Sequence, residues 1–213
     1  MLRHKGWCVK IEGDTVGKVR CCNRTPVTTW SAKLTLRRIR GILNDSVSKT
    51  PASNTNFIGH YLSGYADGEG SFCISFSLKP KLRTSVEVRP SFSVSQNGDR
   101  QEVLYLFKEV LECGTIRRNP SDRTFKYETR SIEDLINKVI PHFRKYPLLS
   151  SKKKDFEKFV EICNKISKGK HLKRNGLKEI VDTAYQMNGF GARRYKKTEL
   201  LLSIRWRYSL RLK

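Results

Sequence analysis

Acidic residues are scarce in this sequence: 20 Asp and Glu stand against 43 Lys and Arg in 213 residues. The formal net charge is +23 and the pI is about 10.0. Such a field favours polyanions, of which nucleic acid is the usual one. A ribosomal protein or a binder of anionic membranes would share this signature, so charge alone does not choose among them. Long apolar runs are also missing; none approaches the ~20 residues that cross a bilayer. The six cysteines, Cys8, Cys21, Cys22, Cys73, Cys113 and Cys163, include no C-x-x-C pair, and no secretory signal precedes them. Scattered reduced thiols in an intracellular protein fit better than a disulfide framework. The spacing of His4, Cys8, Cys21 and Cys22 fits no common zinc finger. With 38% hydrophobic residues the chain is globular without being core-rich.

Where acids are few, the place that holds two of them is informative. Residues 62–70 read Leu-Ser-Gly-Tyr-Ala-Asp-Gly-Glu-Gly, with Asp67 and Glu69 on either side of one glycine. Phe57, Ile58, Tyr61, Leu62 and Tyr65 before them have helical spacing. Gly68 and Gly70 are predicted to break that helix. The carboxylates then lie at a helix C-terminus, where the macrodipole is already negative. An anionic partner would worsen this. A divalent cation resolves it, because carboxylates and carbonyl oxygens can share its charge.

Residues 1–52 differ from the rest. They carry eleven Lys or Arg and three acids, with few aliphatics. They are predicted to form a flexible basic arm that adds phosphate contacts, with a short helix over 32–43. Residues 50–54 read as a linker, and 53–213 as the folded domain. There, Phe72 to Leu78 and Val86 to Val94 alternate apolar and polar, which predicts two strands. Arg100 to Glu112 is an amphipathic helix. Gly114 to Arg118 and Thr124 to Arg130 form a hairpin, and Ser131 caps another helix. Pro141 and Pro147 punctuate its exit. Further helices are predicted near 152–167, 176–187 and 198–210. The order is α+β: helix, strand, strand, helix, strand, strand, helix, then extra helices.

The run at 62–70 resembles the motif of the LAGLIDADG homing endonucleases. Leu62, Gly64, Asp67 and Gly70 match it letter for letter, and Glu69 keeps its final acid. The order of elements agrees, so the resemblance covers about residues 54–213. It implies the αββαββα fold with a four-stranded antiparallel sheet and C-terminal helices added. It implies that Glu69 is the metal-binding catalytic acid and that the Gly68 carbonyl is a second ligand for Mg2+ or Mn2+. Asp67 belongs to the same motif and is expected to stabilise the helix junction or to touch the metal. Gln96 matches a polar residue that orients water. Arg100 matches a basic residue near the scissile phosphate, and Lys152, with Lys153 or Lys154 as alternatives, matches another basic position.

Only one copy of the motif occurs, and single-motif members resemble half of a catalytic unit. A homodimer is therefore expected on a pseudo-palindromic site. Gly59, Ser63 and Ala66 form a stripe of small residues that would let two such helices approach closely; packing within one subunit is the other reading. The exposed strand faces would read the major groove of double-stranded DNA. The candidates are Ser75, Ser77, Lys79, Arg89, Ser91, Ser93, Arg117, Asn119, Thr124 and Lys126. Basic segments at 191–197 and 205–213 suit backbone contacts. The resulting expectation is a divalent-metal-dependent, site-specific DNA endonuclease of intron homing, in a bacterial cytoplasm or an organelle. The alternative on the same fold is an RNA-binding maturase, with intron RNA as partner. A non-catalytic DNA-binding regulator would have no need of both acids, and a ribosomal protein no need of the small-residue stripe.

Overall fold

The computed structural model of the chain describes residues 51–98, 100–189 and 193–209. The basic arm, the cysteines and histidine before residue 50, and the tail beyond 209 lie outside the described residues. Helix α1 spans Pro51–Glu69 and runs directly into β1 (Gly70–Leu78), followed by β2 (Val86–Asn97) and α2 (Glu102–Leu111). Strands β3 (Thr115–Arg118) and β4 (Thr124–Thr129) form the hairpin. Helix α3 has three contiguous pieces: Ile132–Asp134, a π-helical Leu135–Val139, and Ile140–Lys145. Helices α4 (Lys152–Ser167), α5 (Arg174–Ala184) and α6 (Lys197–Ser209) complete the chain.

The four strands make one antiparallel sheet in the order β1-β2-β4-β3. Alternation along each strand sorts the side chains. Phe72, Ile74, Phe92, Val94 and Tyr127 point to the helices and are buried. Phe72 and Phe92 stack with centroids 5.0 Å apart, and Phe143 meets both rings edge-on from α3. Burying each such ring stabilises the fold by about 1.5–3 kcal/mol. A second cluster, Val86, Leu177, Val181, Leu200 and Ile204, ties α5 and α6 to the start of β2.

Three local readings are corrected. Residues 51–54 are not a linker but the first turn of α1; proline is tolerated there because its missing N–H would be unpaired in any helix. Gly68 does not end the helix, which continues to Glu69. Pro141 lies within α3, not at its exit, directly after the π-helical segment. A π turn shifts the backbone pairing that proline would otherwise break. Ser131 does cap α3, its hydroxyl accepting from the Asp134 amide at 3.3 Å.

Candidate active site and nucleic-acid interface

The site begins with how α1 ends. A Cβ on Gly70 would sit 2.6 Å from the Ala66 carbonyl oxygen, so only glycine fits where the helix turns straight into the strand. No loop intervenes, and exposed Glu69 stands at the head of β1. The last carbonyls of a helix lack intrahelical partners. Here two of them, with the first carbonyl of β1, converge on one ammonium: Lys152 Nζ donates to the oxygens of Ala66 (3.0 Å), Gly68 (3.2 Å) and Gly70 (2.7 Å). Burial lowers the Lys152 pKa below its ordinary value, opposed by the charges of Asp67, Glu69 and Asp155. Lys153 and Lys154 are exposed, so Lys152 is the lysine that reaches the motif.

Asp67 is held differently. Its Oδ2 accepts from the amides of Leu149 (3.0 Å) and Ser150 (2.8 Å), and its Oδ1 from the Ser150 hydroxyl (2.5 Å). Partial burial acts to raise its pKa, but these bonds and the Lys152 charge outweigh it and hold the carboxyl below its usual range. With both oxygens engaged, Asp67 braces the junction before α4. The expectation that it touches a metal does not fit this geometry.

Glu69 also lines a groove of about 430 Å³ on the face of the sheet that turns away from the helices. Ser75, Arg89, Ser91, Ser93 and Lys126 line the same groove, with Ser71, Cys73 and Ser95 beside them. Ser93 is only 6% exposed and forms its floor. Ser75 Oγ donates to the Arg89 carbonyl at 3.1 Å. Arg117 pairs with Lys126 across the hairpin and is exposed. Ser77 lies further along β1 opposite Glu87, and Lys79 stands exposed in the turn that follows. Asn119 and Thr124 are committed to the β3–β4 turn instead: Asn119 Nδ2 donates to Asp122 Oδ2 (2.9 Å) and Thr124 Oγ1 to Asp122 Oδ1 (2.7 Å).

Sequence reasoning passed over Glu128, an acid in the middle of this cationic face and 8% exposed. Arg130 (2.8 Å) and Lys126 (3.3 Å) hold it. Burial would raise its pKa, yet these two cations keep it below the ordinary range. The alternation of β4 puts residues 124, 126 and 128 on one face, so the position of Glu128 was readable.

Gln96 and Arg100 lie apart from this groove. Gln96 has the parity of buried Val94 and faces the helices. Its amide donates to the Tyr65 hydroxyl. Both residues line a separate cavity of about 440 Å³ with Phe57, Tyr61, Tyr65 and Glu102.

The small-residue stripe is corrected as well. Gly59, Ser63 and Ala66 face their own chain. A Cβ on Gly59 would fall 2.3 Å from the Tyr146 ring, and Ser63 Oγ donates to the Tyr146 carbonyl at 2.6 Å. Ala66 is fully buried. The open face of α1 carries Phe57, Tyr61, Gly64 and Gly68, at intervals of four, three and four. Phe57 is 49% and Tyr61 47% exposed, and a Cβ on either glycine would meet nothing within 4 Å.

The residues at the end of α1 suit a divalent cation. The Gly68 carbonyl and its neighbours already attract a positive group, and Glu69 offers a carboxylate beside them. Hard cations take such oxygens and complete their shell with water and substrate phosphates. Among the described residues no three His, Cys, Asp or Glu side chains cluster to hold a metal.

Comparison with known proteins agrees with this geometry. A family model described as "LAGLIDADG endonuclease" matches residues 62–163. The crystal structure of a homing endonuclease, I-TnaI, is 31% identical with a TM-score of 0.63, over 68% of this chain and 97% of that one. The archaeal intron-encoded homing endonuclease I-Vdi141I, solved in complex with DNA, is 32% identical with a TM-score of 0.67, over 73% and 98%. A "probable intron-encoded endonuclease 2" of Neurospora crassa is 29% identical over 129 residues, which is 60% of this chain but 28% of that protein's length.

Proposed function

This chain belongs to the LAGLIDADG homing endonuclease family, and on that premise we propose that it cuts double-stranded DNA at one specific site as a homodimer, with a divalent cation. One observation supports this above the others: Glu69 stands in the same groove as the cations and hydroxyls of the open sheet face. A pure RNA binder has no use for an exposed carboxylate there.

In this reading the sheet face lies in the major groove. Arg89, Lys126 and Arg117 address guanine edges or phosphates, and Ser75 and Ser91 serve as adaptable partners. Glu69 and the Gly68 carbonyl hold Mg2+ or Mn2+. The ion, when bound, lowers the pKa of water and offsets the charge that develops on the phosphate. Lys152 stands on the Gly68 carbonyl and adds a second positive charge next to the reacting phosphate. Its contacts also fix the carbonyls that face the cation. The open face of α1, with Phe57, Tyr61, Gly64 and Gly68, packs on the same face of a second copy, and the two-fold axis brings two Glu69 carboxylates together. Like charges that close require cations between them. The target is accordingly pseudo-palindromic. The site of action is the compartment that holds the intron-bearing gene.

Glu69→Gln tests this reading. It keeps shape and removes the charge that holds the cation. The wild type should cut DNA carrying a candidate intron-insertion junction only with magnesium. The variant should bind that DNA with unchanged affinity and leave it intact. Loss of folding and binding together would make Glu69 structural and refute the assignment.

A further inference from the structure

We propose that the groove along the free edge of β1 is a second phosphate-binding surface, gripping the backbone of duplex DNA beside the sheet through Lys154, Lys158 and Arg194. The inference rests on the reading of the sheet face as a major-groove surface.

The groove encloses about 950 Å³ between β1, the start of α4 and the described residues 185–189 and 193–195 after α5. Its cationic residues come from both walls: Lys154 and Lys158 from α4, Arg194 from the far side. Lys154 and Arg194 are exposed. Several described residues of the far wall are fastened. Asn188 Nδ2 donates to the Phe72 carbonyl on the strand edge (2.8 Å). Lys158 Nζ donates to the Gln186 carbonyl (2.8 Å) and leaves two further donors for a phosphate. Arg193 holds the carbonyls of Ala184 (2.6 Å) and Met187 (2.8 Å), and the Tyr185 hydroxyl donates to Tyr195 O (2.5 Å). The one acid in the groove, Asp155, accepts the Asn188 amide (3.3 Å). These bonds fix the Lys158 ammonium and the backbone of the wall that carries Arg194, which lowers the ordering cost of binding.

Two features favour duplex DNA. First, the groove shares Ser71, Cys73 and Ser75 with the sheet face. A sheet seated in a major groove ~12 Å wide meets a phosphate backbone at each edge, and β1 is an edge. Second, its central aromatic is not free to stack on a base. Tyr185 already contacts Phe76, with centroids 6.3 Å apart at 27°, and the Arg193 guanidinium lies 4.5 Å from its centre. Single-stranded binding leans on open aromatic platforms; a backbone rail does not need them.

The test compares the wild type and three variants on random-sequence duplex DNA over a range of salt. The triple variant Lys154→Gln/Lys158→Gln/Arg194→Gln should flatten the log–log salt slope by about 2.7, from ~0.9 per phosphate contact. The control Lys108→Gln/Arg144→Gln/Lys168→Gln removes the same charge elsewhere and should change the slope by less than about 1, because counterion release follows contacts. Lys154→Gln/Arg194→Gln leaves the Lys158 bond intact and guards against misfolding; its expected change is about 1.8. A triple variant equal to the control overturns the inference. So does one that keeps its duplex slope but loses binding to single-stranded RNA. If the wild type itself fails to bind duplex DNA, it is the proposed function that falls.

Discussion

Asp67→Ala separates a brace from a metal ligand. Two opposing effects act at this position. Removing a negative charge from the C-terminal turn of α1 relieves the macrodipole by at most about 1 kcal/mol, because the N-terminus of α4 favours the same carboxylate. Against that stand three hydrogen bonds to a carboxylate, from the Leu149 amide, the Ser150 amide and the Ser150 hydroxyl. Bonds to charged groups are each worth about 1.5–3 kcal/mol when fully formed, but the freed amides here can recover water, so the sum is discounted to about 2–3 kcal/mol in all. The bonds win, and a net loss of about 1–3 kcal/mol follows. At ~2–4 °C per kcal/mol for a chain of this size, the melting temperature should fall by about 2–12 °C. The sign of the pH dependence is fixed too. The Asp67 carboxyl titrates below its ordinary value of 3.8 in the fold, so its contribution is complete above that value and fades as the pH drops through the lowered one. Thermal melts of wild type and variant should be well separated at neutral pH and should converge in acid. They need neither metal nor DNA. An unchanged melting temperature at neutral pH, with weakened metal binding, would refute the brace and restore Asp67 as a ligand.

The two faces of α1 should respond in opposite ways. Gly59→Ala drives a methyl into the Tyr146 ring and should cost about 1–3 kcal/mol of stability, read by chemical denaturation, whereas Gly64→Leu should leave the subunit folded and yield monomers in sedimentation. Lys152→Met uncovers three carbonyls and should lower cleavage by about 10²–10³-fold, the scale of losing one preorganised electrostatic group; Lys153→Met should be neutral, and equal losses for both would remove the special place of Lys152.

Much of the fold was legible because its elements obey simple periods. The alternation of Phe72 to Leu78 and Val86 to Val94 put the right residues on the helix-facing side, and the motif located the end of α1. What was not legible depends on contacts far apart in sequence. Gly59, Ser63 and Ala66 look like an interface until Tyr146, some 80 residues later, is seen against the first two and Ala66 is found fully buried. Asn119 and Thr124 look like base readers until Asp122 claims both side chains. Gln96 carried a family expectation, yet its strand parity turns it to the helices and Tyr65. The tripeptide Lys152 to Lys154 could not be ordered by eye. The helical wheel of α4 orders it, sending Lys152 to the motif and Lys154 to the edge groove.

The electrostatic conflict posed by two acids at a helix C-terminus is resolved unequally. The loop that receives Asp67 leads into α4, and Ser150 and Ser151 lie just before its first residue. Asp67 is thus at the negative end of one helix and the positive end of another, where a carboxylate is favoured. Lys152, from the first turn of that same α4, stands on the carbonyls that make the end of α1 negative. One acid and one base, exchanged between two helix ends, neutralise each other's dipoles and lock the junction. Glu69, by contrast, accepts no hydrogen bond among the described residues and opens onto the sheet-face groove. Lys152 feels the charge of Glu69 as well as that of Asp67, but Asp67 is bound on both oxygens while Glu69 keeps its carboxylate exposed to the groove.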